Sequence, residues 1–311
     1  MKWHGMVAVL LASALLASAQ SNSPSFQDLL ESAQQWAEEN LDENVLRALQ
    51  NVDQEKATQL FSELQQGFQG EYVLDLARLK DTAQAILPLL ESYEETAPYA
   101  VWLKTRLYYL DVADELRLAT PPPKVEPGKP PKPAPNPTPE KTREVWTKKV
   151  AQQPWPKAAS DYVPSLKPVF AAQQVPPELV WLAEVESSFD RKARSPAGAR
   201  GLFQLMPDTA RRFGLSLFPR DQRIQPEPSA RAAAQYLKYL HGRFKDWPLA
   251  VAAYNAGEGT VQRLLERHKA RSFDRIAVHL PAETQMYVPK VEATLLRREG
   301  VKLAKLPSRR G

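Results

Sequence analysis

Ten of the chain's 28 prolines fall in the run PPPKVEPGKPPKPAPNPTP, residues 121–139. Proline has no amide hydrogen to donate and breaks helix interiors and central strands, so this run is not expected to enter a packed core. It reads as a solvated polyproline-like spacer that reaches roughly 60 Å at about 3.1 Å per residue. A chain of 311 residues divided this way is expected to fold as two bodies. They are an acidic helical domain over 20–119 and a second domain over 141–300, joined by a linker over 120–140 and followed by a basic tail over 301–311.

Both bodies carry helical periodicity. In the first, Phe26, Leu29, Leu30, Ala33 and Ala37 recur at helical spacing, as do Ala57, Leu60, Phe61, Leu64 and Phe68. A small helical bundle follows. In the second, punctuation residues mark helices over 177–188 (opened by Pro177), 207–213 (closed by Gly214), 229–241 (opened by Ser229), 248–256 (closed by Gly257) and 283–299 (closed by Gly300). Strand signals are weak throughout, which makes the expected fold class all-α.

The first residues read as an address. Lys2 and His4 lead into MVAVLLASALL and the small-residue site Ala17-Ser18-Ala19, the pattern of an export signal over 1–19. The apolar run is too short to span a bilayer as a mature helix, so the expected product is exported, periplasmic or secreted, with no membrane span after cleavage. The chain has no cysteine. It is therefore expected to lack disulfides and not to be a lipoprotein. His4, His241, His268 and His279 are scattered without ligand spacing and thiolate ligands are absent, so no catalytic zinc or other metal site is expected.

Charge is split between the halves: residues 20–119 carry 18 acidic and 7 basic side chains, and 120–311 carry 18 acidic and 33 basic. A cationic exported half suits an anionic partner such as cell wall, a membrane surface or nucleic acid, and charge alone does not choose among them.

Chemistry enters at one acidic residue. On the helix expected at 177–188, Leu179, Leu182, Ala183 and Glu186 share one face, which aims Glu186 at the core, while Glu184 lies about 200° around the same helix. A carboxyl pressed against apolar walls loses hydration, which raises its pKa and keeps the proton a general acid needs. The plainer alternative is a helix-end glutamate paired with Arg191 or Arg194. Next comes the turn Ser195-Pro196-Ala197-Gly198-Ala199-Arg200-Gly201, whose glycines permit positive φ, and Leu202 to Met206 then return toward the helix end. That return can bring Ser195 and Gln204 beside Glu186.

Three segments, ESSFDRKARSPAGARGLFQLMP from Glu186, AAYNAG at 252–257 and ETQMYVPKV at 283–291, together resemble the soluble lytic transglycosylase (SLT) catalytic-domain family. That family has a lysozyme-like fold also similar to goose-type lysozyme. The resemblance covers roughly 160–300 and leaves 20–140 without a match. It implies that Glu186 is the catalytic acid and base, and that Ser195, Gln204 and Met206 line the sugar cleft. It places Tyr254 and Asn255 opposite, with the Tyr254 hydroxyl near the carboxylate or the glycan, and it makes Glu283 and Tyr287 part of the groove wall. Read from the residues alone, Glu283 is equally a helix-N-terminal acid, and Met206 reads first as a packing residue that borders the cleft.

The activity so implied is cleavage of peptidoglycan at the β-1,4 bond between N-acetylmuramic acid and N-acetylglucosamine, with 1,6-anhydromuramic acid ends as product and no cofactor. The alternatives are a hydrolytic muramidase of goose-lysozyme type and a non-catalytic wall-binding protein. Glycan strands are the expected partner and nucleic acid is not. No partner is assigned to 20–119.

Overall fold

The computed structural model describes residues 63–64, 66–91, 97–120 and 134–307. The expected export signal, most of the expected acidic bundle and the centre of the proline-dense run lie outside the described residues. Within them the chain is helical, and the only extended pairings are isolated bridges joining Arg194 to Arg200 and Arg200 to Leu205.

A 3-10 turn, Val73–Leu79, leads into α1 (Lys80–Glu91) and the long α2 (Ala97–Ala119). After the proline-dense run come α3 (Pro139–Ala151) and α4 (Ala159–Ala172), then a 3-10 turn, Pro177–Trp181, that passes directly into the short α5 (Leu182–Ser187). Next are α6 (Pro207–Arg212), α7 (Pro226–Phe244), α8 (Trp247–Ala256), α9 (Glu258–Arg267), α10 (Phe273–Ile276) and α11 (Ala282–Glu299).

Local chemistry sets these ends. Thr138 caps α3 by accepting from the Lys141 amide at 3.3 Å, with Pro139 at the first helical position. Asp246 does the same for α8, accepting from the Leu249 amide at 2.8 Å. Gly300 ends α11 in the left-handed region at φ 69°. Two expectations shift: α7 opens at Pro226 rather than at Ser229, and the helix expected over 177–188 is a 3-10 turn followed by α5. Pro177 fits the opening of either.

The packing does not follow the expected division into two bodies. One continuous core runs from Leu64 to Leu306. Helix α2 buries side chains around most of its circumference, among them Trp102, Leu103, Arg106, Tyr109, Leu110 and Leu116. It packs on the first 3-10 turn and α1, and also on α3 and α5 beyond the proline-dense run. Tyr109 meets Trp146 of α3 edge-on, with ring centroids 5.2 Å apart. The expected boundaries follow a change of composition along the chain, whereas the fold follows apolar area, and α2 has more of it than α1 and the neighbouring turn can cover.

The expected linker over 120–140 is likewise anchored at its far end. The Asn136 side chain accepts from the Val73 amide at 2.9 Å and donates to the carbonyls of Glu71 and Val278 at 2.5 and 3.2 Å. It thereby ties three separate stretches together.

Helix α11 is the second element buried on most sides, against α3, α5, α8 and the 3-10 turn at Pro177. Its last turn is fixed to α5 by a fork: Arg298 donates from Nε and Nη2 to both oxygens of Glu184, at 3.0 and 2.8 Å. The Arg298 side chain is 2% exposed. Glu184 does point away from Glu186, as the helical spacing requires, but it faces a buried cation and not solvent.

Because α2 and the later helices share one core, damage in α2 should lower the stability of the whole described body. Leu103→Ala, at a fully buried position, is expected to cost about 2–5 kcal/mol. Denaturant unfolding followed by tryptophan fluorescence and by circular dichroism should show a single shifted transition. Two transitions, only one of them shifted, would restore the picture of independent halves.

Candidate active site

Glu186 sits in the last turn of α5, where side chains need a firm base to hold position. The end of this helix turns sharply, with Ser188 and Phe189 both at positive φ, 52° and 63°. Ser187 ties it down by donating from Oγ to the Ala183 and Leu202 carbonyls at 3.1 and 2.9 Å. The Leu202 bond links the helix end to the turn that follows.

That turn is built around two left-handed glycines and one close approach. Gly198 and Gly201 have φ of 88° and 83°. A Cβ on Gly201 would lie 1.9 Å from the Arg223 carbonyl oxygen, so no other residue fits. The Arg223 guanidinium donates to the Gly198 and Leu205 carbonyls at 2.8 and 3.0 Å and pairs with Asp221 at 2.8 Å, pinning the loop from beneath. Nothing in the spacing of the sequence pointed to Arg223.

The result is a cleft of about 280 Å³ with Glu186 in its lining. Ser195, Gln204, Met206, Tyr254, Asn255 and Glu283 line it as well, so six of the seven expected substrate residues meet around the expected acid. Ser195 accepts from the Ala199 amide at 3.0 Å. Gln204, at φ 45°, donates to the Ala193 and Gly201 carbonyls at 3.1 and 2.9 Å, while its own Oε1 is buried without a partner among the described residues. Asn255 accepts from Thr284 Oγ1 at 2.6 Å. Met206 is 43% exposed at the rim, which sets aside the packing alternative.

Two tyrosines stand near the carboxyl, and the hydrogen bond to it comes from the one expected in the groove wall. Tyr254 donates to the Phe203 carbonyl at 2.7 Å and so braces the turn. The hydroxyl on the carboxyl belongs to Tyr287, which donates to Glu186 Oε1 at 2.6 Å. Tyr287 is 1% exposed and stands behind Glu186, where it cannot be groove wall. The identity of each tyrosine was visible in the chain, but the direction of its hydroxyl depends on how α8 and α11 are rotated.

Four further lining residues come from before the proline-dense run: Phe68, Gln69, Trp102 and Arg106. Arg106 donates to Glu283 Oε1 at 2.5 Å, with side-chain exposures of 8% and 15% for the pair. The ion pair bridges α2 and α11. Its signal was present, because Leu103, Arg106, Leu110 and Ala113 share one helical face, so a cation stands in an apolar stripe as Glu186 does.

Burial pushes the Glu186 carboxyl up to about 7 from 4.5, against the opposing pull of the Arg106 charge and the Tyr287 hydrogen bond. Glu283 adds to the rise and Lys290 works against it. Lys290, 5% exposed on α11, is itself pushed down to about 7 by burial and by Arg106. Its Nζ lies 4.5 Å from the Tyr109 ring centre and donates to the Val185 carbonyl at 3.4 Å, at the back of the helix that carries Glu186. Neither alternative partner, Arg191 or Arg194, pairs with Glu186 among the described residues; the Arg194 guanidinium lies over the Tyr99 ring at 5.5 Å. Asp190 accepts from the Lys192 amide at 2.7 Å, an ordinary turn contact.

This arrangement has counterparts of known family. Residues 170–277 match the family model described as "Transglycosylase SLT domain". The chain contains an SLT domain. Across the domain it is similar to membrane-bound lytic murein transglycosylase D of Escherichia coli K12, 43% identical over 125 residues, covering 39% of this chain and 28% of that protein. It is 40% identical over 92 residues to membrane-bound lytic murein transglycosylase F of Alcanivorax borkumensis, 27% of this chain and 18% of the other. With soluble lytic murein transglycosylase of Escherichia coli K12 it shares 35% over 121 residues, 36% and 19%. The matched stretches span less than a third of the length of each of these relatives. The SLT match holds Glu186, the turn and the AAYNAG segment, whereas Arg106, Glu283, Tyr287 and Lys290 lie outside it.

A carboxyl held at about 7 costs stability when ionised. Between pH 4.5 and about 7 the unfolded chain releases the Glu186 proton before the folded chain does, so the fold loses roughly 3 kcal/mol over that window and regains it as pH falls. Glu186→Gln keeps the shape and never ionises. Denaturant unfolding should find this variant more stable than wild type by that order at pH 8, and nearly equal to it at pH 4. A difference independent of pH would mean that Glu186 titrates normally.

Proposed function

We propose that this chain is a peptidoglycan lytic transglycosylase that cleaves the β-1,4 bond between N-acetylmuramic acid and N-acetylglucosamine and leaves 1,6-anhydromuramic acid ends. The observation that carries the reading is the buried Glu186 carboxyl, raised to about 7 and lining a cleft. Such a group keeps a proton near neutral pH and can give it to a leaving oxygen.

Most glycoside cleavage uses two carboxylates, one as acid and one as base or nucleophile. The second carboxyl in this cleft, Glu283, is engaged by Arg106 at 2.5 Å. That favours a route in which one carboxyl acts twice. Glu186 protonates the glycosidic oxygen as the C1–O4 bond breaks, and the sugar's own 2-acetamido carbonyl stabilises the positive C1. The Glu186 carboxylate then takes the proton of the same sugar's C6 hydroxyl as O6 bonds to C1, which restores the acid. Atoms balance without water, and the attacking oxygen is already tethered to its target.

The named residues take parts in this route. Tyr287 holds the carboxyl oriented from behind, and Arg106 fixes Glu283 and stabilises the ionised form of Glu186. Gln204 Oε1 is an acceptor that a sugar N–H or O–H can satisfy, while Ser195, Asn255 and Met206 border the strand. The export pattern at 1–19 would bring the enzyme to the cell wall, its substrate.

Digestion of purified peptidoglycan in isotopically labelled water tests the reading. Products should end in 1,6-anhydromuramic acid, carry no label, and weigh one water less than lysozyme products. Reducing, labelled ends would make the enzyme a muramidase, and strands bound without cleavage would make it a wall-binding protein. Glu186→Gln should lower kcat by at least about a thousandfold while glycan binding persists. Arg106→Gln removes a charge that holds the Glu186 carboxyl down, so the alkaline limb of the kcat/KM profile should move to higher pH. An unmoved limb would remove Arg106 from the tuning of the acid.

A further inference from the structure

The catalytic cleft has a neighbour. On the other side of Gln69, which lines both, lies a hollow of about 470 Å³ bordered by Glu71, Thr260, Arg263, Arg267 and His279. Arg263 and Arg267 stand four residues apart on α9 and therefore share a face. Neither forms an ion pair among the described residues. Among the described residues Arg263 Nη2 donates only to Thr260 Oγ1, at 3.4 Å. The single carboxylate in the lining, Glu71, is exposed at the rim.

The floor and the wall are held in place. The Glu71 carbonyl accepts from Gln285 Nε2 at 2.7 Å and from Asn136 Nδ2 at 2.5 Å. The His279 ring stacks on that of His268 with centroids 3.9 Å apart. Two guanidinium groups without carboxylate partners among the described residues, over a braced wall beside a sugar cleft, form a receptor for a carboxylate.

We propose that this hollow binds a free carboxylate of the peptide carried by the bound glycan strand, a proposal that rests on the transglycosylase reading. The sugar rings in the cleft are uncharged, whereas the short acidic peptides attached through the muramic acid lactyl group supply the anion. A strand lying along the cleft past Asn255 and Gln69 delivers such a peptide to Arg263 and Arg267. The site thus selects peptide-bearing strands over bare ones.

The experiment uses the full chain and two substrates, purified glycan strands with their peptides and the same strands stripped of peptide by an amidase, with the lactyl carboxylates that the amidase frees then capped as amides. For each protein the ratio of kcat/KM on the first to that on the second is measured. Arg263→Gln combined with Arg267→Gln should lower the ratio about tenfold, chiefly through KM on peptide-bearing strands, with a smaller effect at high salt. Lys238→Gln with Arg243→Gln removes two positive charges from a different surface and should keep the wild-type ratio. A ratio unchanged in the first pair, or lowered equally in the second, overturns the proposal. If wild type yields anhydro ends from neither substrate, it is the transglycosylase reading that fails. If it yields them from both while the ratio ignores Arg263 and Arg267, only the hollow's role fails.

Discussion

Burying Glu186 penalises its ionised form by roughly 3 kcal/mol, and the neighbouring structure keeps the carboxyl from escaping that penalty. A side chain on a loose helix end would rotate into water and titrate normally. Here α5 is held from one side by the Ser187 hydroxyl on the turn and from the other by the fork between Glu184 and Arg298. Tyr287 occupies the carboxyl from behind. Each of these contacts is ordinary, and together they turn a general destabilisation into a usable acid.

Two cations modulate that acid from different distances. Arg106 is committed to Glu283 and acts on Glu186 as a fixed charge. Lys290 is caged by aromatic rings and lowered to about 7, so its charge changes over the same range as that of Glu186. Both come from elements outside the matched SLT segment, α2 and the later part of α11. The domain supplies the acid, and its surroundings set the acid's strength.

Much of this was legible in the chain, for a physical reason. Periodicity reports which face of a helix is buried, so an acidic residue on the Leu179, Leu182, Ala183 stripe announced itself, and proline and glycine marked helix ends to within a few residues. Periodicity does not report what covers the face. Arg106 sits in its own apolar stripe as plainly as Glu186 does, yet no spacing says that α2 packs across α5 and α11. That Tyr287 makes the hydrogen bond to the carboxyl has the same origin, since sequence fixes a tyrosine's helix but not the atom its hydroxyl reaches. Arg223 gave no signal because it holds the turn through the Gly198 and Leu205 carbonyls, and every residue has a carbonyl.

The anchoring of Asn136 changes what kind of object the proline-dense run is. A tether has one end on each of two bodies, and its length sets how far they range. The helix before this run, α2, and Asn136 near its far end belong to the same core, so the two ends of the run are fixed relative to each other. Loop closure depends only weakly on length, about 0.6 kcal/mol for each doubling. Insertions and deletions within it should therefore be nearly neutral to folding, and a protease cutting it would leave two chains on one core, with the acid and the arginine that tunes it on different pieces but still in place.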